Sequence, residues 1–305
     1  VNKPRLSIIV CTYNRDNFLI KCLEHLSNQS AEKHLFEIIV INNNSDDNTE
    51  TICHNFRINH PELLFEHILE VKQGLSICRN RGIRASNGEL ISFIDDDAFA
   101  DKKFAHNLIQ YFHLHPEVAA IGGKVTPSYQ GDPPSWMSRY LLPLVAALDK
   151  GNYPKPFRGT EFPIGANMAF RRSIIDSMDP FDTDLGRKGL FLGSGEEKDL
   201  FFKLKKKKYK IHYVPDVQVS HSIPDSRLKP EYIKRMANGI GQSEALRISK
   251  YPLGQVLEKW FMEFFKIGAT AILGFLFFIT GQWAKADMLI RFRIWVFSSF
   301  IKTIS

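Results

Sequence analysis

The stretch from Glu89 to Phe99 reads ELISFIDDDAF, a short apolar run that stops abruptly at three consecutive carboxylates, Asp95, Asp96 and Asp97. Leu90 to Ile94 fits a buried strand, and such a strand delivers the acids to its carboxyl end, where open α/β sheets bind ligands. Three adjacent carboxylates repel one another. A divalent cation relieves that repulsion, because Mg²⁺, Mn²⁺ and Ca²⁺ all prefer oxygen ligands. A metal site is the expectation, and a solvated turn is the plainer alternative, since Asp is common in turns.

Outward from the acids the same grammar repeats. Leu6 to Cys11, Phe36 to Ile41 and Leu63 to Leu69 are apolar runs of strand length before the triplet, and Val118 to Gly122 is another after it. Segments near 16–29, 46–59, 75–86 and 101–114 have helical length and periodicity, with Asp16, Ser45 or Asp46, and Asp101 as helix starts. Alternating strands and helices predict an α/β, Rossmann-like fold, a mainly parallel sheet flanked by helices.

From Thr126 to Thr160 the pattern gives way to Pro, Gly and aromatic residues, which predicts a long loop of the kind that serves as a lid or binding segment. Trp136, Tyr140, Tyr153 and Phe157 either stack on a sugar or base, or pin the loop to the core. Glu196 to Lys208 then reads as a helix, Lys210 to Val214 and Val217 to Ser222 as strands, and the chain beyond Pro230 as helical. This divides the chain into an α/β domain over 1–228 and a helical region over 229–305.

With 305 residues and 44% apolar content, the chain can fill a substantial core. Cys11, Cys22, Cys53 and Cys78 show no CxxC spacing, so neither a zinc site nor a disulfide framework is expected, and a reducing compartment fits. The opening VNKPRLSIIV runs straight into a strand, and no secretory leader is expected. The net charge of +7 is uneven: residues 1–200 hold 22 Lys and Arg against 26 Asp and Glu, and residues 201–305 hold 18 against 7. A basic end of that size points to an acidic partner such as phosphate, nucleic acid or anionic lipid.

Common nucleotide signatures are absent: no GxGxxG follows the first strand, and GxxxxGK[ST], HExxH and GxSxG do not occur. The first strand leads instead into Thr12-Tyr13-Asn14-Arg15, and the second into Asn42-Asn43-Asn44-Ser45-Asp46-Asp47-Asn48-Thr49. Polar side chains therefore collect at the carboxyl ends of two strands, which suits the ribose and base edge of a nucleoside. Read separately, TYNR is weak and the Asn run is an ordinary turn and helix cap.

Taken together, SIIVCTYNR, VINNNSDDNT and GLSICRNRGIRASNGELISFIDDD, in that order, resemble the nucleotide-sugar-binding half of the inverting glycosyltransferases of family 2, whose fold is GT-A. The resemblance continues through Gly165-Ala166-Asn167-Met168-Ala169-Phe170-Arg171, GEEKDL at Gly195 to Leu200, and YVPDVQVSH ending at His221. It covers about residues 5–222 and leaves the C-terminal helices outside.

The resemblance implies a nucleotide-sugar site made by Thr12, Tyr13, Arg15, Asn42, Asn44, Asp47, Arg79, Asn80, Asp95, Asp96, Gly165 and Asn167. Asn42 stands where the family usually has an Asp facing the base; an amide can still exchange hydrogen bonds with uracil. Arg79 and Asn80 match a segment that faces the nucleotide and its diphosphate, and a guanidinium suits phosphate. Asp95 and Asp97 match the DxD pair, with Asp95 towards the ribose, Asp97 on the metal and Asp96 in the variable place. His221 matches a histidine that completes the metal sphere. Glu196 and Glu197 match the catalytic acid motif, with Glu197 as general base, although both acids also suit the first turn of a helix. Lys203, Lys205, Lys206, Lys207, Lys208 and Lys210 follow, either as a solvated helix end or as a site for anionic lipid or a lipid-linked pyrophosphate.

The function implied is transfer of a sugar from a nucleoside diphosphate donor, expected to be UDP-linked, to a hydroxyl of a glycan or lipid-linked acceptor, with Mn²⁺ or Mg²⁺ as cofactor. Nucleic acid is not an expected partner, and a homo-oligomer stays open. The rivals are a nonenzymatic nucleotide-sugar scaffold, against which the DxD and Glu197 argue, and a sugar nucleotidyltransferase, whose Gly-rich phosphate loop TYNRDNF does not supply. Ile267 to Ala284 is 18 residues without charge, with Lys259 and Lys266 before it and Lys285, Arg291 and Arg293 after it. Basic residues on both flanks favour a re-entrant or in-plane hairpin at the membrane over a simple span, with a soluble helical hairpin as the alternative. The catalytic domain is expected in the cytosol, at the cytoplasmic face of a membrane.

Overall fold

The computed structural model describes residues 3–189, 191–249 and 251–304. Val1 and Asn2, on which the expectation of no leader rests in part, and Ser305, the end of the helical region, lie outside the described residues.

The elements follow the alternation read from the sequence. They are β1 (Leu6–Thr12), α1 (Asp16–Ser27), β2 (Phe36–Asn42), α2 (Thr49–Asn59), β3 (Leu64–Leu69), α3 (Leu75–Ala85), β4 (Leu90–Asp95), β5 (Ala98–Ala100), α4 (Phe104–Leu114) and β6 (Val118–Tyr129). Then come β7 (Lys155–Pro156), β8 (Asn167–Arg171), α5 (Arg172–Ile175), α6 (Glu196–Lys206), β9 (Lys210–Ile223), α7 (Pro230–Ser249), α8 (Leu253–Ile279) and α9 (Trp283–Ile304).

One sheet carries the strands in the order β3-β2-β1-β4-β8-β6-β9-β5, with β7 also paired to β9. The pairs β3/β2, β2/β1 and β1/β4 are parallel, and β4/β8, β8/β6, β9/β5 and β9/β7 are antiparallel. The parallel half is the nucleotide-type sheet that the sequence predicts.

Because side chains alternate along a strand, the buried runs feed two cores. Ile8, Val10, Ile38 and Val40 pack with Leu19 and Leu23 of α1 and Phe104 and Leu108 of α4. Ile9, Ile39, Ile91 and Phe93 point the other way, onto Cys78 and Ile83 of α3 and Leu200, Phe201 and Leu204 of α6. Each such side chain contributes about 1.5–3 kcal/mol on burial. Gly82 sets the approach of α3 to β1, since a Cβ there would stand 2.5 Å from Ile9 Cγ2.

Boundaries depart from the sequence reading where local hydrogen bonds decide them. Helix α2 starts at Thr49 rather than near Ser45, because Asp47 Oδ1 accepts from the Thr49 amide and hydroxyl. Helix α4 starts at Phe104, with Asp101 Oδ1 accepting the Lys103 amide ahead of the first turn. Strand β6 runs to Tyr129, seven residues past the expected Gly122, so the long loop begins later than Thr126. Strand β9 is continuous through Pro215, which only omits one donor from the ladder.

The chain forms two compact units, the first comprising residues up to Ser128, Ala146–Thr183 and Glu196–Ser222. The second comprises Tyr129–Val145, Asp184–Gly195 and Ile223 onward. The second unit is thus wider than the expected 229–305, since it recruits two segments from the middle of the chain. Its core joins Leu141 and Trp136 to Ile233, Met288 and Leu289, and Tyr140 meets Phe277 edge-on. Those loop aromatics pin their segment. Phe157 does the same in the first unit against Tyr213, while Tyr153 is exposed.

Candidate active site

The site belongs to the first unit and grows from strand register. Thr12 pairs with Asn42 and Cys11 with Asp95, so β1, β2 and β4 end side by side. Immediately after β4 the short strand β5 pairs antiparallel with β9, placing Ala98 opposite His221, and the Ser222 amide donates to the Asp97 carbonyl at 2.8 Å. This pairing carries His221 to the acidic triplet across more than a hundred residues of sequence.

The three carboxylates are held differently. Asp96 is buried and accepts from Thr12 Oγ1 at 2.8 Å while Arg15 Nη1 stands 2.9 Å away. Burial pushes its carboxyl up to about 6, against the opposing pull of Arg15. Asp97 is buried between Arg15 Nη2 at 2.7 Å and His221 Nε2 at 3.0 Å. Asp95 is the more open of the three, with Arg79 Nη2 at 3.7 Å. Asp96 thus ties the end of β1 to the start of α1 beneath the site.

Arg79 stands elsewhere than at an open phosphate face. It is 2% exposed, with Nη1 donating at 3.0 Å to both Glu196 Oε1 and Glu197 Oε1, and its guanidinium lies 5.9 Å from the Phe93 ring and 5.3 Å from the Phe181 ring. One buried cation thus joins the paired glutamates at the start of α6 to the acidic end of β4. Desolvation, reinforced by the neighbouring Glu197, raises the Glu196 carboxyl to about 8, which favours its protonated form. Gly165 closes over the pair: a Cβ there would meet Glu197 Oε1 at 2.1 Å and Arg79 Nη2 at 2.4 Å.

Several expected nucleotide ligands are committed to the framework. Asn80 Nδ2 donates to the Phe181 carbonyl and its Oδ1 accepts the Phe181 amide, which holds α3 to the segment behind Arg79. Asn167 Nδ2 donates to the carbonyls of Lys124 and Val217, so its side chain straps β8 to β6 and β9. Asp47 accepts from the Asp16 amide and caps α2. Asn42 Oδ1 accepts the Ser45 amide at 2.9 Å, and Asn44 sits exposed in the left-handed region at φ 60°. Tyr13 is 36% exposed at the end of β1.

Asn43 was not singled out by sequence. It is buried, donates to the carbonyls of Glu70 and Lys72, and accepts the Gly74 amide. Its place within an Asn triplet was the available signal. Of the lysine run, Lys203 pairs with Asp199 at 2.8 Å and Lys205 donates to the Gly159 and Glu161 carbonyls, while Lys206 and Lys207 are exposed.

Ligand atoms of Asp95, Asp97 and His221 lie within 4.8 Å of one another. Two carboxylate oxygens and an imidazole nitrogen suit Mn²⁺ or Mg²⁺, and two of the three residues are buried donors converging on one point. The residues present fit a divalent cation.

A parallel nucleotide-type sheet ending in a DxD cluster, with a glutamate pair tied to it by one arginine, defines a GT-A glycosyltransferase domain. The profile of Glycosyl transferase family 2 matches residues 7–178, and the chain belongs to that family. It is similar to the glucosyl-dolichyl phosphate glucuronosyltransferase of Haloferax volcanii, 24% identical over 189 residues, which are 61% of this chain and 58% of the relative. A Methanococcus voltae relative, named a dolichyl N-acetyl-alpha-D-glucosaminyl phosphate 3-beta-D-2,3-diacetamido-2,3-dideoxy-beta-D-glucuronosyltransferase, is 24% identical over 290 residues, 90% of this chain and 83% of that one. Among solved structures, the mannosyltransferase PcManGT of Pyrobaculum calidifontis, in complex with GDP-Man and Mn²⁺, matches with a TM-score of 0.66 and 18% identity over 99% of this chain and 88% of that one, a likeness of fold. The chain spans 58%, 30% and 57% of the lengths of the first three curated relatives it matches.

Proposed function

We propose that the chain transfers a glycosyl group, with inversion, from a UDP-linked sugar to a hydroxyl of a lipid-linked or glycan acceptor. The observation that carries this reading is the Arg79 bridge, which fixes Glu197 at 3.0 Å beside the acidic end of β4. A base and a diphosphate site held by one buried cation are what single displacement at an anomeric carbon needs.

In this scheme the acceptor oxygen forms its bond to the anomeric carbon as the bond to the diphosphate oxygen breaks. Glu197 takes the hydroxyl proton, and the leaving nucleoside diphosphate takes the electron pair. Glu196 shares Arg79, and burial raises its carboxyl, which leaves Glu197 as the proton acceptor in this scheme. A divalent cation held by Asp95, Asp97 and His221 would stabilise the charge that develops on the diphosphate. Asn42 spends its oxygen on Ser45, so a base edge would meet its carboxamide N–H groups, which suit a uracil carbonyl.

The named dolichyl phosphate acceptors of two relatives support a lipid-linked acceptor, which would bring the chain to the cytoplasmic face of a membrane, where nucleotide sugars are available. The test is a panel of UDP- and GDP-sugars with Mn²⁺ or Mg²⁺, measuring released nucleoside diphosphate with and without lipid-linked acceptors, and the anomeric configuration of any product. Metal-dependent release from one donor class with an inverted product is expected. Donor binding without transfer or hydrolysis would instead favour the nonenzymatic scaffold.

A further inference from the structure

Helix α8, within the second unit, is amphipathic in the reverse sense for a soluble helix. Its buried positions are Lys259, Glu263, Thr270 and Gly274. Lys259 pairs with Glu244 of α7 and, at 2.8 Å, with Glu263; Glu263 in turn meets Lys266 at 2.7 Å and Arg293 of α9 at 3.5 Å. Lys259 and Glu263 face inward, while Glu258 near the start of the helix is exposed. Phe261, Phe264, Phe265, Ile272, Phe275 and Ile279 face outward, each more than half exposed. Phe264 and Phe265 flank the line through Phe261, Ile272, Phe275 and Ile279, and together they make one stripe about five turns and about 27 Å long.

A long contiguous stripe of exposed apolar side chains marks an interaction surface rather than ordinary solvent-facing protein. Length and hydropathy alone would let α8 cross a bilayer, since it has 27 residues. Its neighbour cannot follow it: α9 carries an Asp287–Arg291 pair with both side chains more than half exposed. A charged residue facing hydrocarbon at mid-membrane is strongly disfavoured. The ion pairs that bind α8 to α7 and α9 therefore keep it beside helices that stay in water or at head-group level.

We propose that α8 lies in the plane of the membrane, with its outward stripe in one leaflet of an anionic bilayer and α9 at the head groups. The partner is lipid rather than a second copy because the region that carries the stripe is basic. Residues 223–305 hold 12 Lys and Arg against 6 Asp and Glu, with Lys302 exposed on α9 beside the Asp287–Arg291 pair. Trp283, at the start of α9, is 67% exposed, the position an interfacial indole takes. The inference rests on the lipid-linked reading of the acceptor for its setting, and an in-plane anchor would hold the second unit where such an acceptor presents its head group.

The test uses the full chain and sealed vesicles of phosphatidylcholine, alone or mixed with phosphatidylglycerol, with binding read by flotation. Binding to the mixed vesicles, weakened by salt, is expected. Replacing Phe264→Gln and Phe275→Gln together should lower the partition coefficient on the order of a hundredfold, with the circular dichroism spectrum unchanged. Insertion is read separately by Gly254→Cys and Gln282→Cys, one at each end of α8, using a membrane-impermeant maleimide outside the vesicles. Labelling of both positions supports the in-plane helix, and labelling of only one replaces it with a span. Failure to float with either lipid overturns the proposal, as does a dimer in vesicle-free buffer that the double variant converts to monomer. Because these readouts need no donor, a failure here leaves glycosyl transfer standing, and a failure of transfer leaves the anchor standing.

Discussion

Replacing Gly165 by alanine perturbs the site with a single methyl group. The new Cβ would lie 2.1 Å from Glu197 Oε1 and 2.4 Å from Arg79 Nη2, whereas an ordinary carbon–oxygen contact is about 3.2 Å, so something must retreat by about 1 Å. Arg79 is the stiffer partner, being 2% exposed and flanked by Phe93 and Phe181. The Glu197 side chain is 18% exposed and is the freer of the two. It should yield, leaving the fold intact and the base misplaced. A displacement of about 1 Å at a reacting group costs on the order of a hundredfold in turnover, or about 2.7 kcal/mol of barrier. Steady-state release of nucleoside diphosphate in the presence of acceptor would give the loss in turnover, calorimetry with donor alone would show affinity changed by less than about threefold, and the melting temperature would stay within a few degrees. Unchanged turnover in Gly165→Ala would refute the assignment of the Arg79-bound Glu197 as the working base. A fall in donor affinity equal to the fall in turnover would instead make Gly165 a donor contact.

Asp97→Asn should remove most metal-dependent turnover while the protein stays folded, because it deletes a charged oxygen between Arg15 and His221 at constant volume; full activity with ordinary metal dependence would exclude the DxD assignment. Glu197→Gln should depress the chemical step far more than donor affinity, and Glu196→Gln should be milder; single-turnover rates separate them, and a reversed order would make Glu196 the base. Glu196 also predicts a slope of stability with pH. Its folded carboxyl is raised from 4.5 to about 8, so the folded chain keeps a proton that the unfolded chain releases, and this contribution is full below about pH 4.5 and declines as the pH rises towards 8. Urea midpoints of the wild type should therefore fall across that window by more than those of Glu196→Gln, and parallel slopes would contradict a neutral buried Glu196.

The parallel half of the fold was legible because β1, β2 and β4 are short apolar runs ending in polar residues, so the run itself marks where the sheet meets solvent. Leu6, Phe36 and Leu90 open strands in the structure, as their runs predict. Less legible were features fixed by distant partners. Strand β5 is only Ala98–Ala100, too short to carry a periodicity, and it exists because β9 lies beside it. Pro215 broke β9 in the sequence reading, yet a missing amide is tolerated where the neighbouring pairs hold the strand extended. The Pro- and aromatic-rich segment looked like one loop because composition cannot say which core an aromatic joins; Trp136 and Phe157 enter different ones.

The candidate site divides along the same line, between residue type and residue direction. Sequence gathered the metal donors, because Asp95, Asp97 and His221 match the family's order, and the structure brings those three donors together. It could not orient the amides and guanidinium. Arg79 lies one helical turn into α3, and whether its side chain meets a phosphate or a glutamate depends on α6, more than a hundred residues away. Asn80 and Asn167 carry the same donors that a nucleotide would use, but the Phe181, Lys124 and Val217 backbone groups need those donors, because an unpaired polar group costs about 1–3 kcal/mol once buried. A polar residue in a motif is thus claimed first by whatever backbone the fold buries beside it. The residues left to face a ligand are those whose backbone neighbours are already paired, and at the end of β4 the more open Asp95 is such a residue, with buried Asp96 and Asp97 fixed behind it.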